Sequence, residues 1–274
     1  MFVGRGVIMD ETTIPVSPDD RIFLGDGLFE TIRFEKSRPL YPTIHWQRLR
    51  QSANSLFISS DLSDHFLSCQ LIDCIKSSGI ENGGVKIVLS GGRAARGLVA
   101  KGLSPVIFFR AFENHASKSP LHLLTAPWSR DAKNPVYQLK SVNYLEAIMA
   151  RRAALVAGAQ DVIFFNVEQH AMETTVANLF MIKEEKVFTP KLTDGVLPGI
   201  IRHRILRLCK DHGIHCKEVS IDRNQLIRAE AIFTTNALEH MRSVKLFDGQ
   251  RFKTHHPLFK QLNHLLANDS ERWS

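Results

Sequence analysis

The stretch Ser90-Gly91-Gly92-Arg93-Ala94-Ala95-Arg96-Gly97 invites a phosphate reading, because glycines let backbone amides approach an anion. It has no lysine where a phosphate loop carries one, and no GxGxxG follows a strand-like run, so neither a P-loop nor a dinucleotide site has support. No GxSxG elbow offers an acyl-transfer serine. The 12 histidines include His255 and His256 side by side but no HExxH spacing. The four cysteines, Cys69, Cys74, Cys209 and Cys216, form no C-x2-C pair, and no structural metal is expected. What remains is a set of separated segments: G-D-G-L-F-E-T-I-R at 25–33, H-W-Q-R-L at 45–49, L-K-S-V-N-Y-L-E at 139–146 and E-T-T-V-A-N-L-F at 173–180. Two weaker ones follow, G-V-L-P-G-I-I-R at 195–202 and F-T-T-N-A-L at 233–238. By residue type they offer an amine for imine chemistry in Lys140, a carboxylate in Glu173 and a planar cation suited to an anion in Arg48.

In order and spacing these segments resemble the fold-type IV enzymes that use pyridoxal 5'-phosphate (PLP). That family includes branched-chain aminotransferases, D-amino-acid aminotransferases and aminodeoxychorismate lyases. The resemblance implies that Lys140 holds the cofactor as an imine and, once released, moves the proton as a base. It implies that Glu173 lies beside the pyridine nitrogen, where a carboxylate stabilises the protonated ring. It gives Arg48 to the phosphate, with the backbone N–H groups of Ile200 and Ile201 at a helix start and the Thr235 hydroxyl. The family usually has threonine where Ile201 stands; a backbone contact survives that change. Tyr144, four residues after Lys140, is placed near the cofactor. For an anionic substrate the resemblance offers Arg96, which Gly97 follows, with Arg33, Asn236 and Ala237 as further candidates. His45 precedes Arg48 by three, so the two share a helical face, and His45 reads as structural.

Within the family the short chain, the Arg96-Gly97 loop and Asn236-Ala237-Leu238 resemble the lyases, which split 4-amino-4-deoxychorismate into 4-aminobenzoate and pyruvate on the way to folate. A D-amino-acid or branched-chain aminotransferase is the alternative. Leu98 stands where lyases often carry an aromatic residue, and where the D-amino-acid enzymes have an Arg-x-His pattern the histidine is missing. A non-catalytic basic binding protein is the reading from another class, and the presence of both Lys140 and Glu173 speaks against it.

The elements that must carry these residues follow from periodicity. Strands are expected at 22–24, 28–33, 85–89, 106–109, 121–125, 161–165, 178–182, 187–189 and 231–235, with an Asp248-Gly249 hairpin turn joining 244–247 to 251–252. Thr43 is positioned to cap a helix bearing Leu49, Ala53 and Leu56, and Phe66, Leu67, Leu71, Ile72 and Ile75 mark a second. Leu145, Ile148, Met149 and Val156 form one face of a third helix, which Gly158 closes, and Met149 and Met181 read as core filler. Ile201, Ile205 and Leu208 mark a fourth, closed by Gly213. The alternation is irregular, so a doubly wound sheet is not implied. The expected class is α/β (α+β) in two domains, a small one over 1–115 and a larger one over 121–274, with a polar, proline-ended linker at about 113–120. The resemblance makes the larger domain a barrel-like cofactor-binding one and the protein a homodimer.

With 274 residues, 44% hydrophobic and 23% charged, the chain has ordinary globular proportions. Its net charge of +7 is scattered, which reads as a solvated basic surface rather than a nucleic-acid patch and also suits an anionic substrate. No apolar run is long enough to span a bilayer, and the unpaired cysteines with no secretory signal point to the cytoplasm.

Overall fold

The computed structural model of the chain describes residues 7–8, 16–59, 63–115, 117 and 119–273. Ala116 and Lys118 of the expected linker lie outside those residues. The chain divides into two compact units, one of residues 1–115, 139–143 and 270–274, the other of 116–138 and 144–269. A single linear cut therefore does not describe the division: the five residues around Lys140 belong with the first unit.

The first unit is a five-stranded sheet covered by two helices. Its elements are β1 (Val7–Ile8), β2 (Gly27–Glu35), β3 (Arg38–Pro39), α1 (Pro42–Ser55), α2 (Asp64–Ser78), β4 (Gly83–Ser90) and β5 (Ile107–Glu113), with sheet order β1-β5-β4-β2-β3. β2, β4 and β5 are antiparallel, in a register that sets Phe29 opposite Val88 and Ile87 opposite Phe109. Alternation in β2 buries Leu28, Ile32 and Phe34 against Trp46, Leu49 and Ala53 of α1 and Leu67, Leu71 and Ile75 of α2. α1 begins at Pro42 after Tyr41, without a side-chain cap, so Thr43 lies inside the helix rather than capping it; proline at the first position supplies the preset φ. Residues 22–24 are not a strand. They belong to a short 3-10 helix, Arg21–Leu24, whose start Asp20 caps and whose end turns through Gly25 at φ 82°. Two polar contacts with nearby backbone outweigh the strand propensity of a three-residue apolar run.

The second unit is a closed barrel. Its elements are β6 (Leu121–Thr125), α3 (Leu145–Val156), β7 (Asp161–Phe165), β8 (Ala171–Thr174), β9 (Asn178–Lys183), β10 (Lys186–Thr189), α4 (Ile200–Asp211), β11 (Cys216–Glu218), α5 (Arg223–Ile227), β12 (Ala231–Asn236), β13 (His240–Phe247), β14 (Gln250–Arg251) and α6 (Pro257–Ala267). The path β9-β12-β13-β6-β7-β8 returns to β9 through the Glu173–Asn178 pairing, so six strands form a ring. β10 and β11 extend from the later half of β9. Leu123, Ile163, Leu179, Ile232, Val244 and Phe247 are buried in one core cluster. The barrel removes exposed strand edges, which open sheets must protect by other means.

α3 departs from the expected packing. Leu145, Ile148, Met149 and Val156 are exposed, and the buried face is Ala147, Ala150 and Ala154. Alanines permit close approach of the helix to the barrel, so the small residues go inward and the large ones do not; Met149 is not core filler, whereas Met181 is buried. α3 and α4 end as expected, with Gly158 and Gly213 at φ 77° and 66° just past their C-terminal caps. No helix among the described residues is long and apolar enough to cross a membrane.

Candidate active site

In the first unit, the Lys140 segment lies along β2 like a short extra strand. Phe29 N–H donates to the Lys140 carbonyl at 2.9 Å, Val142 N–H donates to the Gly27 carbonyl at 3.0 Å, and Leu28 and Ser141 form an antiparallel bridge. The Asn143 amide donates to the Gly25 carbonyl at 2.8 Å. Gly25 cannot be replaced without strain: its φ is positive, and a Cβ there would fall 2.0 Å from Asn143 Oδ1. Two of the quoted segments, 25–33 and 139–146, are thus two sides of one joint. It fixes the backbone of Lys140 and leaves its ammonium 4.2 Å from the centroid of the Phe29 ring.

Next along β2, Glu30 is buried and takes a bidentate grip from Arg48, with Nε donating to Oε1 at 2.8 Å and Nη2 to Oε2 at 2.6 Å. His45 Nδ1 donates to Glu30 Oε2 at 2.7 Å. Burial alone would raise the Glu30 carboxyl, but the charge of Arg48 and the hydrogen bonds from His45 and Arg48 outweigh it and hold Glu30 well below the ordinary carboxylate range. Burial pushes His45 the other way, below its ordinary value, while the Glu30 carboxylate opposes that shift. His45 and Arg48 do share a face of α1, and the partner that unites them is Glu30. The Nε–Nη2 edge of Arg48 is thus engaged by Glu30.

Arg33 pairs with Glu35 at 2.8 Å, and Glu35 with Arg272 at 2.6 Å. Arg96 stands exposed in the loop after β4, where Arg21 reaches the carbonyls of Gly97 at 3.3 Å and Leu98 at 3.2 Å.

In the second unit, Glu173 is the penultimate residue of β8 and a member of the strand pairing that closes the barrel. Its Oε2 accepts from Asn178 Nδ2 and from the Leu197 backbone, both at 3.1 Å, and its Oε1 lies 3.8 Å from Arg130 Nη1. Asn178 also donates to the Leu197 carbonyl at 2.9 Å, and a Cβ on Gly199 would fall 1.8 Å from its Oδ1. That close approach explains the glycine that begins α4. Ile200 and Ile201 open the helix fully buried, after a cap that offers no side-chain acceptor. A buried, uncapped helix start is a set of N–H donors suited to an anion. α4 packs on β12, where the Thr235 hydroxyl is 2% exposed and has no hydrogen-bond partner among the described residues. An orphaned buried hydroxyl and an uncapped helix start are what a phosphate would satisfy.

Tyr144 is the N-cap residue of α3, half-buried, with no cap bond from its side chain. Asn236 is occupied within its own turn: Oδ1 accepts from the Leu238 and Glu239 backbones at 3.0 and 2.8 Å, and Nδ2 donates to Glu239 at 3.1 Å. Ala237 sits in the same turn. One trio among the described residues, Glu185, Glu230 and His256, brings metal-type ligand atoms together. His256 Nδ1 accepts from Leu258 N–H at the start of α6 and its Nε2 faces Glu230 at 3.4 Å, so both ring nitrogens serve a helix cap and its carboxylate partner.

Sequence reasoning passed over two residues of this unit, Asn178 and Arg130. Asn178 stood inside a quoted segment, and its spacing of five from Glu173 across a tight turn was the available signal. Arg130 lies in no segment and carried none.

The comparisons with known proteins bear on this geometry. The class IV aminotransferase family matches residues 27–247, and the chain belongs to that family. A solved protein of Legionella pneumophila, provisionally named 4-amino-4-deoxychorismate lyase, is 42% identical with a TM-score of 0.94, covering 97% of this chain and 99% of its own. The aminodeoxychorismate lyase of Vibrio harveyi is 27% identical over 286 residues, 98% of this chain and 99% of that protein. The D-alanine aminotransferase of Bacillus licheniformis is 26% identical over 253 residues, 91% of this chain and 88% of that protein. The chain is thus an enzyme of the PLP-dependent lyase and aminotransferase class.

Proposed function

We propose that this protein is a PLP-dependent 4-amino-4-deoxychorismate lyase, forming 4-aminobenzoate and pyruvate. The observation that carries the cofactor assignment is the pair of unsatisfied elements in the second unit, the buried start of α4 and the Thr235 hydroxyl, which suit a phosphate. The lyase reading rests on likeness to proteins bearing that name over almost the whole chain.

Bound PLP supplies an electron sink for the pair left when a proton departs. Lys140 is the residue that holds it covalently. Its backbone hydrogen bonds to β2 fix where the amine stands, 4.2 Å from the centroid of the Phe29 ring. Glu173 faces the ring nitrogen with one oxygen already oriented by Asn178 and Leu197. Arg48, Thr235 and the Ile200 and Ile201 amides hold the phosphate, and Glu30 and His45 keep the Arg48 guanidinium in place. Once freed from the cofactor, Lys140 would serve as the base for the proton on the amine-bearing carbon. The enolpyruvyl group would leave with the electrons of its C–O bond and take up a proton to become pyruvate, and the ring left behind is aromatic, which drives the reaction. Arg96 is the candidate for a substrate carboxylate. Tyr144 lines the cofactor, and Arg33, Asn236 and Ala237 are secondary candidates. In this structure Arg33 is engaged by Glu35 and the Asn236 side chain by its own turn.

Likeness to the D-alanine aminotransferase favours amino transfer as the second reading. In that reaction Lys140 would again be the residue that carries the proton. The deciding experiment compares pyruvate and 4-aminobenzoate released from aminodeoxychorismate with the aminated cofactor formed from D- and L-amino acids. Pyruvate in stoichiometric yield with 4-aminobenzoate is expected; aminated cofactor without pyruvate overturns the lyase reading. Borohydride should fix the cofactor to Lys140, and a Lys140→Ala protein that still fixes it, through another lysine and in equal yield, overturns the cofactor role.

A further inference from the structure

Behind Glu173 stands a buried arginine that the proposed reaction does not use. The Arg130 side chain is 7% exposed, with its guanidinium carbon 3.4 Å from the Phe164 ring centroid and 4.7 Å from that of Tyr137. Its backbone is pinned to the end of β7, with Arg130 N–H donating to the Phe165 carbonyl and Val167 N–H to the Arg130 carbonyl, each at 3.0 Å. On one side Nε and Nη2 both reach Glu146 Oε2 at 3.0 Å, and Trp128 Nε1 donates to Glu146 Oε1 at 2.9 Å. On the other side Nη1 is 3.8 Å from Glu173 Oε1.

The charges decide what this arrangement does. A buried carboxylate with neutral donors alone tends to take up a proton and lose its charge. A cation beside it prevents that. Arg130 alone would also cancel the negative charge that a protonated ring nitrogen needs. Glu146 resolves the conflict, because it holds the arginine at hydrogen-bond distance while Glu173 stays at 3.8 Å. Arg130 is thus held closer to Glu146 than to Glu173, so Glu146 takes the larger share of its charge.

We propose that Arg130 is a positioning residue for Glu173, held and partly neutralised by Glu146. It aims Glu173 at a cationic ring, while Glu146 takes most of the arginine's charge. The proposal rests on the reading that Glu173 meets the ring nitrogen of the cofactor. It also gives a role to Glu146, the last residue of the L-K-S-V-N-Y-L-E segment. Through Arg130, Glu146 serves the glutamate of the next segment rather than the lysine of its own.

The test is a double-mutant cycle on cofactor affinity. Holoenzyme is stripped of cofactor and PLP is titrated back, followed by visible absorbance, in wild type, Arg130→Gln, Glu173→Gln and the double variant. Thermal melting of each cofactor-free protein reports folding. Arg130→Gln should weaken PLP binding about tenfold, as supporting residues behind a bound group commonly do. In the Glu173→Gln background the same change should cost less than about twofold more, because an effect transmitted through one residue vanishes with it. An equal loss in both backgrounds means a merely structural arginine and overturns the proposal. So does an Arg130→Gln protein with unaltered affinity. Should Arg130→Gln melt out, Arg130→Lys in the same two backgrounds gives the cycle, with a smaller loss expected because the charge is kept and the fork is not. A wild-type protein that takes up no PLP overturns the cofactor reading itself, a different result from additivity among proteins that all bind.

Discussion

Glu30 shows how far a single side chain can be bound by its neighbours. It accepts hydrogen bonds on both oxygens from two residues of α1, and one of them, Arg48, is assigned to the cofactor phosphate. Removing a partner from a buried ion pair leaves an uncompensated charge, which costs about 3–5 kcal/mol. Glu30→Ala should lose stability on that scale in urea unfolding at about pH 7, and should weaken PLP binding by freeing Arg48 to move. The pH dependence has a definite sign. The folded-state carboxyl is depressed below its ordinary 4.5, so its contribution is complete above that value and is lost as pH falls below it. The stability gap between wild type and Glu30→Ala should therefore be full near neutrality and shrink in acid. A gap that stays constant into acid would mean that Glu30 is not ionised in the folded protein.

Between elements, the joint of Gly25 with Asn143 sets the position of the Lys140 segment. Gly25→Ala meets two obstacles, a positive φ and the Asn143 side chain. Backbone strain of this kind costs about 1–3 kcal/mol, and part of it should appear as a displaced Lys140. The expected outcome is a lower melting temperature together with less cofactor fixed by borohydride at a given PLP concentration. Adding Asn143→Ala should recover some of the first by removing the contact, since only the φ penalty remains. This joint was partly legible in sequence, because both its sides stood out as segments, although nothing in their spacing said that they touch. Lys140, Glu173 and the helix start at Ile200 were reached by resemblance, and local chemistry then explains their neighbours. α3 was legible as a helix with the wrong face inward. Large apolar side chains were assigned to the core, when three alanines make the contact and Leu145, Ile148, Met149 and Val156 stay outside. Burial of small residues gains little by area and much by proximity, and hydrophobic periodicity does not register it. The Asp20 cap and Gly25 turn that convert 22–24 into a 3-10 helix are likewise polar and local.

At the scale of the whole molecule, the barrel of the second unit should be its slowest-exchanging part. Opening a closed ring breaks two ladders at every strand, whereas an edge strand breaks one. β9 and β12 pair along five residues, and the Phe180 and Phe233 rings stack at 4.9 Å across that pairing. Their amides should show the highest protection within the unit in hydrogen exchange, and those of β11 and β14, strands of three and two residues with one neighbour each, the least among its strands. Comparable exchange throughout would show that the ring opens strand by strand. The α/β class with a barrel-like larger part was legible from resemblance; the closure itself was not, since it depends on Glu173 pairing with Asn178 across a tight turn.

The placement of residues 139–143 bears on how such a protein can be inherited in pieces. The chain leaves the second unit for five residues, lays Lys140 against β2, and returns. A recombination event that exchanged everything after residue 115 with a relative would bring the reactive amine from one parent and the strand it rests on from the other. Two crossovers flanking the second unit would do the same. Only an exchange that keeps 25–29 and 139–143 from one parent preserves the joint, so descent should treat these distant stretches as a single heritable part.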